Sequence, residues 1–129
     1  MLDQCRITTI LPVVDVQRAR QFYEKRLGLT PGRPRPDGGV RYSAGGTALE
    51  LSPRQEPTQA QYTAATFEVR DVEREVQDLE SRGVRFEDYD LPGLKTVGHI
   101  CVLGSEKAAW FKDTEGNTLC IHEESGTVQ

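Results

Sequence analysis

Apolar and polar positions along the chain fall into two similar series. Residues 6–14 are dense in β-branched and other apolar side chains and read as a buried strand. Asp15 is placed to cap a helix, because its carboxylate can accept from the free amides of a first turn. Val16, Ala19, Phe22, Tyr23 and Leu27 then recur at helical spacing, and Gly28 supplies the stop. Turn chemistry follows through Pro31, Gly32, Pro34 and Pro36-Asp37-Gly38-Gly39. Residues 40–44 and 47–52 predict short strands joined at Gly45-Gly46.

The series then recurs. Residues 63–69 predict a strand, Asp71 a cap, Val72, Val76 and Leu79 a helix face, and Gly83 a stop. Val13, Asp15 and Val16 fall on Val69, Asp71 and Val72 at an offset of 56 residues, and Arg26 falls on Arg82. Residues 84–87 predict a short strand, and residues 108–112 and 118–122 a hairpin around Asp113-Thr114-Glu115-Gly116-Asn117. Residues 89–107, with glycines at 93, 98 and 104, are long for a connection and read either as a further strand or as a lid. A repeat of this kind implies one supersecondary unit used twice, with function between the copies.

Composition narrows the function classes. The chain has 129 residues, enough for one domain with its own core. Sixteen Lys and Arg against twenty Asp and Glu give a net charge of −4 without a basic stripe, which argues against nucleic acid and anionic membrane as partners. No apolar run approaches the ~18 residues that a membrane span needs. Residues 1–6 lack the basic-then-apolar pattern of a signal peptide, and three cysteines without a Cys-x-x-Cys spacing suit free thiols, so a cytoplasmic location is expected.

Two motifs point to a family. Leu11-Pro12-Val13-Val14-Asp15, followed by Phe22-Tyr23 and Leu27-Gly28-Leu29, resembles the opening of the vicinal oxygen chelate superfamily of glyoxalase I, bleomycin-resistance and ring-cleaving dioxygenase proteins. Trp110-Phe111-Lys112-Asp113-Thr114-Glu115-Gly116-Asn117 is similar to that superfamily's Phe-x-Asp-Pro-x-Gly-Asn signature, with Thr114 in place of the proline. The resemblance implies an α+β fold. Two βαβββ modules, about 5–52 and 62–123 with a linker at about 53–61, would form a curled, cup-shaped mixed sheet with helices on its outer face. It also implies a small-molecule ligand in the cup, often a divalent metal beside it, and a homodimer.

The metal positions implied by the resemblance fall on Thr8, Glu50, Ala64 and Cys120, where relatives carry His or Gln on first strands and Glu on last strands. Only Glu50 matches. Alanine has no donor atom, and a neutral threonine hydroxyl is a poor ligand for a catalytic divalent ion. No cofactor is therefore expected. One alternative set remains: His122, two residues beyond Cys120 on the same strand face, would join Glu50 and Cys120 as O, S and N donors of a kind zinc accepts. The plainer reading makes Cys120 a buried filler and His122 a strand-end residue.

The candidate ligand contacts are thus Thr8, Tyr42, Glu50, Ala64, Trp110, Cys120 and His122, with strand alternation placing Trp110 and Phe111 on opposite faces. The principal expectation is a metal-free protein that binds an apolar or aromatic small molecule. The alternative is a lyase or isomerase of the glyoxalase type. It would use the diverged metal set, or Glu50 and His99 as acid and base, with His99 carried over the cup on its glycine-flanked segment. Against that, His99 also reads as an exposed loop histidine, and Glu50 as the partner of an arginine such as Arg41.

Overall fold

The computed structural model describes residues 1–124. It has the expected α+β class: ten strands, two short α-helices and mixed sheets. Two compact units are present, one of residues 1–60 with 113–117, the other of residues 61–112 with 118–124.

In the first unit, β1 (Thr8–Val13) leads into α1 (Val16–Gln21), which continues as a π-helical turn over Phe22–Arg26. Three strands follow: β2 (Pro31–Pro34), β3 (Val40–Ala44) and β4 (Thr47–Pro53). The sheet order is β1-β4-β3-β2, with β1 and β4 parallel and the other pairs antiparallel. The helix is the crossover that lets the last strand lie parallel to the first. Asp15 caps it as expected, its Oδ1 accepting from Arg18 N at 3.0 Å. Leu11, Val13, Val40, Tyr42, Leu49 and Leu51 alternate along three strands and are buried, together with Ala19, Phe22 and Tyr23. Tyr23 and Tyr42 stack with ring centroids 6.1 Å apart.

The second unit repeats this plan and extends it. β5 (Thr63–Glu68) leads into α2 (Val72–Ser81), capped by Asp71 through Arg74 N at 3.1 Å. β9 (Glu106–Lys112) and β10 (Thr118–Glu124) form the expected hairpin, and β10 lies parallel to β5. Residues 89–107 are not a lid. They add β6 (Asp90–Leu91), β7 (Leu94–Val97) and β8 (Ile100–Leu103), so the order is β5-β10-β9-β8-β7-β6. Gly93, Gly98 and Gly104 sit at the tight turns of this meander with φ of 77°, 58° and 60°. The strand expected at 84–87 is reduced to one bridge, Phe86 to Phe111. β8 already occupies β9 from Glu106 to Ala108, which leaves only a short free edge.

Val72, Val76 and Leu79 on α2, and Ala109, Phe111, Leu119 and Ile121 on the sheet, form the buried side of this unit. Among the described residues, no helix is long and apolar enough to cross a membrane. Substituting Asp71→Ala removes the α2 cap and is expected to cost about 1 kcal/mol, read as a lower urea midpoint.

Candidate functional site

Alternation leaves each sheet one face free of its own helix. On the first sheet that face carries Thr8, Arg41 and Glu50. Glu50 is mostly buried and committed: Arg41 Nε donates to its Oε1 at 2.8 Å, and Arg35 Nε lies 3.6 Å from the same oxygen. The arginine-partner reading of Glu50 is therefore what the geometry shows. Tyr42, expected among the ligand contacts, lies on the other face. It is fully buried, stacked on Tyr23, with its hydroxyl donating to Glu24 Oε2 at 2.9 Å. The pattern of β3 explains this, since Tyr42 shares its face with buried Val40.

The second sheet offers a hollow of about 290 Å³ on the face opposite Phe111. Trp110, Cys120, His122, Thr63, Thr66 and Cys101 are among its walls. Trp110 and Phe111 do lie on opposite faces: Phe111 is core, at 1 % exposure, and Trp110 lines the hollow. The indole is held on two sides. Its Nε1 donates to Thr63 Oγ1 at 3.1 Å, and Tyr89 meets the ring edge-on with centroids 5.6 Å apart. Ala64 shares the strand face of Thr66 but supplies only a methyl group.

The hollow's polar groups have defined states. Burial, outweighing hydrogen bonds from the Thr66 side chain and the Ala109 backbone, pushes the Cys120 thiol up to about 11, so it stays protonated at neutral pH. His122 is clamped between carboxylates, Nδ1 on Glu68 Oε1 and Nε2 on Glu106 Oε1, each at 2.6 Å. These bonds, Glu68 first and Glu106 second, raise its pKa. Ala64 has no donor atom, Thr8 only a neutral hydroxyl, and Glu50 is ion-paired with Arg41, so the positions where relatives hold a metal offer a poor donor set in this chain.

His99 is placed elsewhere. It occupies the β7–β8 turn with φ of 73°, a left-handed conformation uncommon outside glycine. Its Nδ1 lies 2.9 Å from Asp88 Oδ1, its Nε2 3.2 Å from Glu80 Oε2 on α2, and its ring stacks on Phe86. It borders a second cavity, of about 610 Å³, on the α2 side with Val76, Ile100 and Val102. The expectation of an acid or base over the ligand face is therefore not met: the glycines around His99 make a hairpin turn that delivers it to the helix side.

Sequence reasoning missed Glu68 and Glu106, which flank His122, and Glu115, which organises the first helix. Glu115 Oε1 accepts from Val14 N and Asp15 N at 2.9 and 3.0 Å, Oε2 from Arg18 Nε at 2.8 Å and Thr114 Oγ1 at 2.8 Å. Burial alone would raise this carboxyl, but Arg18 and the other donors overcome it and hold the pKa at about 2. The neighbouring Asp113 and Asn117 serve the turn as expected. Asp113 accepts from both Glu115 N and Asn117 N at 2.8 Å, and Tyr23 Oη donates to its Oδ2 at 2.6 Å.

Known proteins agree with this architecture. A putative glyoxalase family protein from Bacillus anthracis superposes with a TM-score of 0.71 at 18 % identity, covering 93 % of each chain. Lactoylglutathione lyase from Agrobacterium tumefaciens gives 0.69 at 20 % identity over 91 % of each chain. TnmS3, an antibiotic binding protein from Streptomyces sp. CB03234, gives 0.70 at 23 % identity over 93 % of this chain and 95 % of its own. No curated protein sequence matches the chain. The profile of the Glyoxalase/Bleomycin resistance protein/Dioxygenase superfamily matches residues 2–121. The chain belongs to that superfamily.

Proposed function

We propose that this protein binds a small apolar or aromatic molecule in the hollow over Trp110, without a catalytic metal. The observation that carries this reading is the hollow itself: an indole fixed by Thr63 and Tyr89 beside a neutral, buried thiol. At about 290 Å³ it lies just below the ~300–1,000 Å³ typical of small-molecule sites, which favours a compact planar ligand. Superfamily membership supports the same reading, since bleomycin-resistance proteins are among its members. The two groups that acid–base chemistry would use are otherwise engaged, Glu50 with Arg41 and His99 with Asp88 and Glu80.

Trp110 is the sole tryptophan, so tryptophan emission reports on the hollow. Titration with a panel of planar aromatic compounds is expected to give saturable quenching by at least one member. Ala108, on the same wall, provides the control. Substituting Ala108→Phe fills the hollow and is expected to weaken that quenching at least tenfold. Quenching by no member of the panel, or quenching indifferent to Ala108→Phe, sinks the proposal. So does stoichiometric metal in protein purified without chelator that disappears on Glu50→Ala or Cys120→Ala.

A further inference from the structure

The second sheet is wider than the helix that covers it. α2 packs mainly against β9 and β10, so β7 and β8 extend beyond it. Lys95 and Val97 of β7 and Ile100 and Val102 of β8 point to the helix side, while Cys101 between the last two faces the hollow. Val97 is 75 % exposed and Val102 59 % exposed, apolar surface that a bound molecule would take out of water. The opposite wall is one stripe of α2. Glu73, Val76, Gln77 and Glu80 recur at helical spacing and line the same cavity, of about 610 Å³. Two polar bridges tie this stripe to the sheet. Lys107 Nζ donates to Glu73 Oε2 at 2.8 Å, and His99 Nε2 lies 3.2 Å from Glu80 Oε2. The two glutamates are two turns apart, ~10 Å along the helix axis, and between them α2 presents Val76 and Gln77. The cavity is thus a slot framed by bridges rather than a bare strand face.

The bridges also bear on the charge a ligand should carry. Glu73 and Glu80 are each engaged within the protein, by Lys107 and His99. Among the described residues, the side chains of Lys95 and Gln77 have no hydrogen-bond or ion-pair partner, and both offer N–H donors to the slot. We propose that this slot binds a small carboxylic acid with an apolar body, its carboxylate taken by Lys95, with Gln77 as a second donor, and its body laid on Val97, Ile100 and Val102. An ammonium and a carboxylate make a charge-assisted hydrogen bond, about twice as strong as a neutral one. The cavity volume lies within the ~300–1,000 Å³ typical of small-molecule sites. No residue that lines the hollow over Trp110 lines this slot. The site is additional to the binding function above and stands or falls separately from it.

The probe is octanoate, titrated into the protein by calorimetry and by amide-resolved NMR. Saturable binding of one octanoate per chain is expected, with amide shifts confined to residues 73–80 of α2 and 95–102 of β7 and β8. Octanamide and octylamine share its body but lack the negative charge, and should bind about tenfold more weakly or worse. Lys95→Met should weaken octanoate binding about tenfold, the scale of one hydrogen bond to a charged group, and Lys95→Arg should retain it. Val102→Asp sets an anion against the apolar body and should weaken binding by about tenfold or more. Lys95 and Val102 are both exposed, so these variants should keep the wild-type circular dichroism spectrum. Ala108→Phe, which fills the hollow, should leave octanoate affinity unchanged. A Kd weaker than about 1 mM, octylamine binding as tightly as octanoate, or affinity indifferent to Lys95→Met overturns the proposal. So does loss of octanoate binding in Ala108→Phe, which would place the acid over Trp110 instead.

Discussion

Substituting Glu115→Ala is expected to destabilise the protein by about 3 kcal/mol, because it strips several donors of one buried acceptor group. The Glu115 side chain is 1 % exposed, and its two oxygens serve Val14 N, Asp15 N, the Arg18 guanidinium and the Thr114 hydroxyl. Alanine leaves the two backbone amides at the entrance of α1 without their acceptor and frees Arg18 from its ion pair. The same carboxylate makes stability pH-dependent, with a definite sign. Its folded pKa, about 2, lies below the ordinary 4.5, so its contribution is complete above pH 4.5 and is lost as pH falls toward 2. A shift of that size corresponds to about 3 kcal/mol. Urea unfolding at pH 7 and pH 3 checks both statements. Wild type should lose stability between the two pH values, and Glu115→Gln should lose markedly less. An acid response unchanged in Glu115→Gln would refute the assignment.

The elements that were legible in the sequence are those set by local chemistry. Asp15 and Asp71 cap helices because capping needs one short acceptor and three following residues, all contiguous. The helix faces, the Gly45-Gly46 turn and the β9–β10 hairpin follow from periodicity and turn composition in the same way. What was illegible depends on register and on distant partners. Glu115 read as an ordinary turn residue, yet it acts on amides a hundred positions earlier in the chain. Glu68 could be matched with His122 only once β5 was known to lie parallel to β10 in that register. Tyr42 reads as a ligand contact because an aromatic in a short strand suits either face; its alternation with buried Val40 and its stack on Tyr23 decide between them. His99 failed for a related reason: glycines on both sides of a histidine mark a tight turn as readily as a mobile segment.

The duplication also goes deeper than the matched residues indicated. In each unit the helix N-terminus receives its own aspartate cap and a second carboxylate from far along the chain. Glu115 serves Val14 and Asp15 before α1, and Glu123 Oε1 accepts from Val72 N at the start of α2 at 2.9 Å. Both supply anionic acceptors where a helix presents unpaired amides and the positive end of its dipole. The two glutamates do not occupy equivalent positions of the repeat, so comparing the copies residue by residue does not find them. The copies share a physical requirement and meet it differently.

Substituting Gly39→Ala is expected to be as damaging as the loss of Glu115, and for a purely steric reason. Gly39 closes the turn before β3, its N–H donating to Asp37 Oδ1 at 2.9 Å and its carbonyl accepting from Arg35 N at 3.0 Å. A Cβ built there would overlap the carbonyl oxygen of Leu51 and press on Asp37 Oδ1 and Pro53 Cδ. Leu51 belongs to the β4 backbone and pairs with Val40, so no rotamer change relieves the overlap. The chain must either shift β4 away from the start of β3 or reform the turn, at a cost of about 3 kcal/mol by the usual scale of overpacking. Gly38 provides the comparison. Its φ is 90°, but an added Cβ meets nothing within 4 Å, so Gly38→Ala should incur only the left-handed backbone penalty, about 1 kcal/mol. Urea midpoints of the two variants therefore separate close packing from backbone conformation. A Gly39→Ala midpoint equal to or above that of Gly38→Ala would mean that β4 does not approach the turn so closely. The same shift would pull Glu50 out of register with Arg41, the next pair along these two strands. Loss of stability in Gly39→Ala should thus be accompanied by a weaker Arg41–Glu50 coupling in a double-mutant cycle, whereas in Gly38→Ala that coupling should be retained.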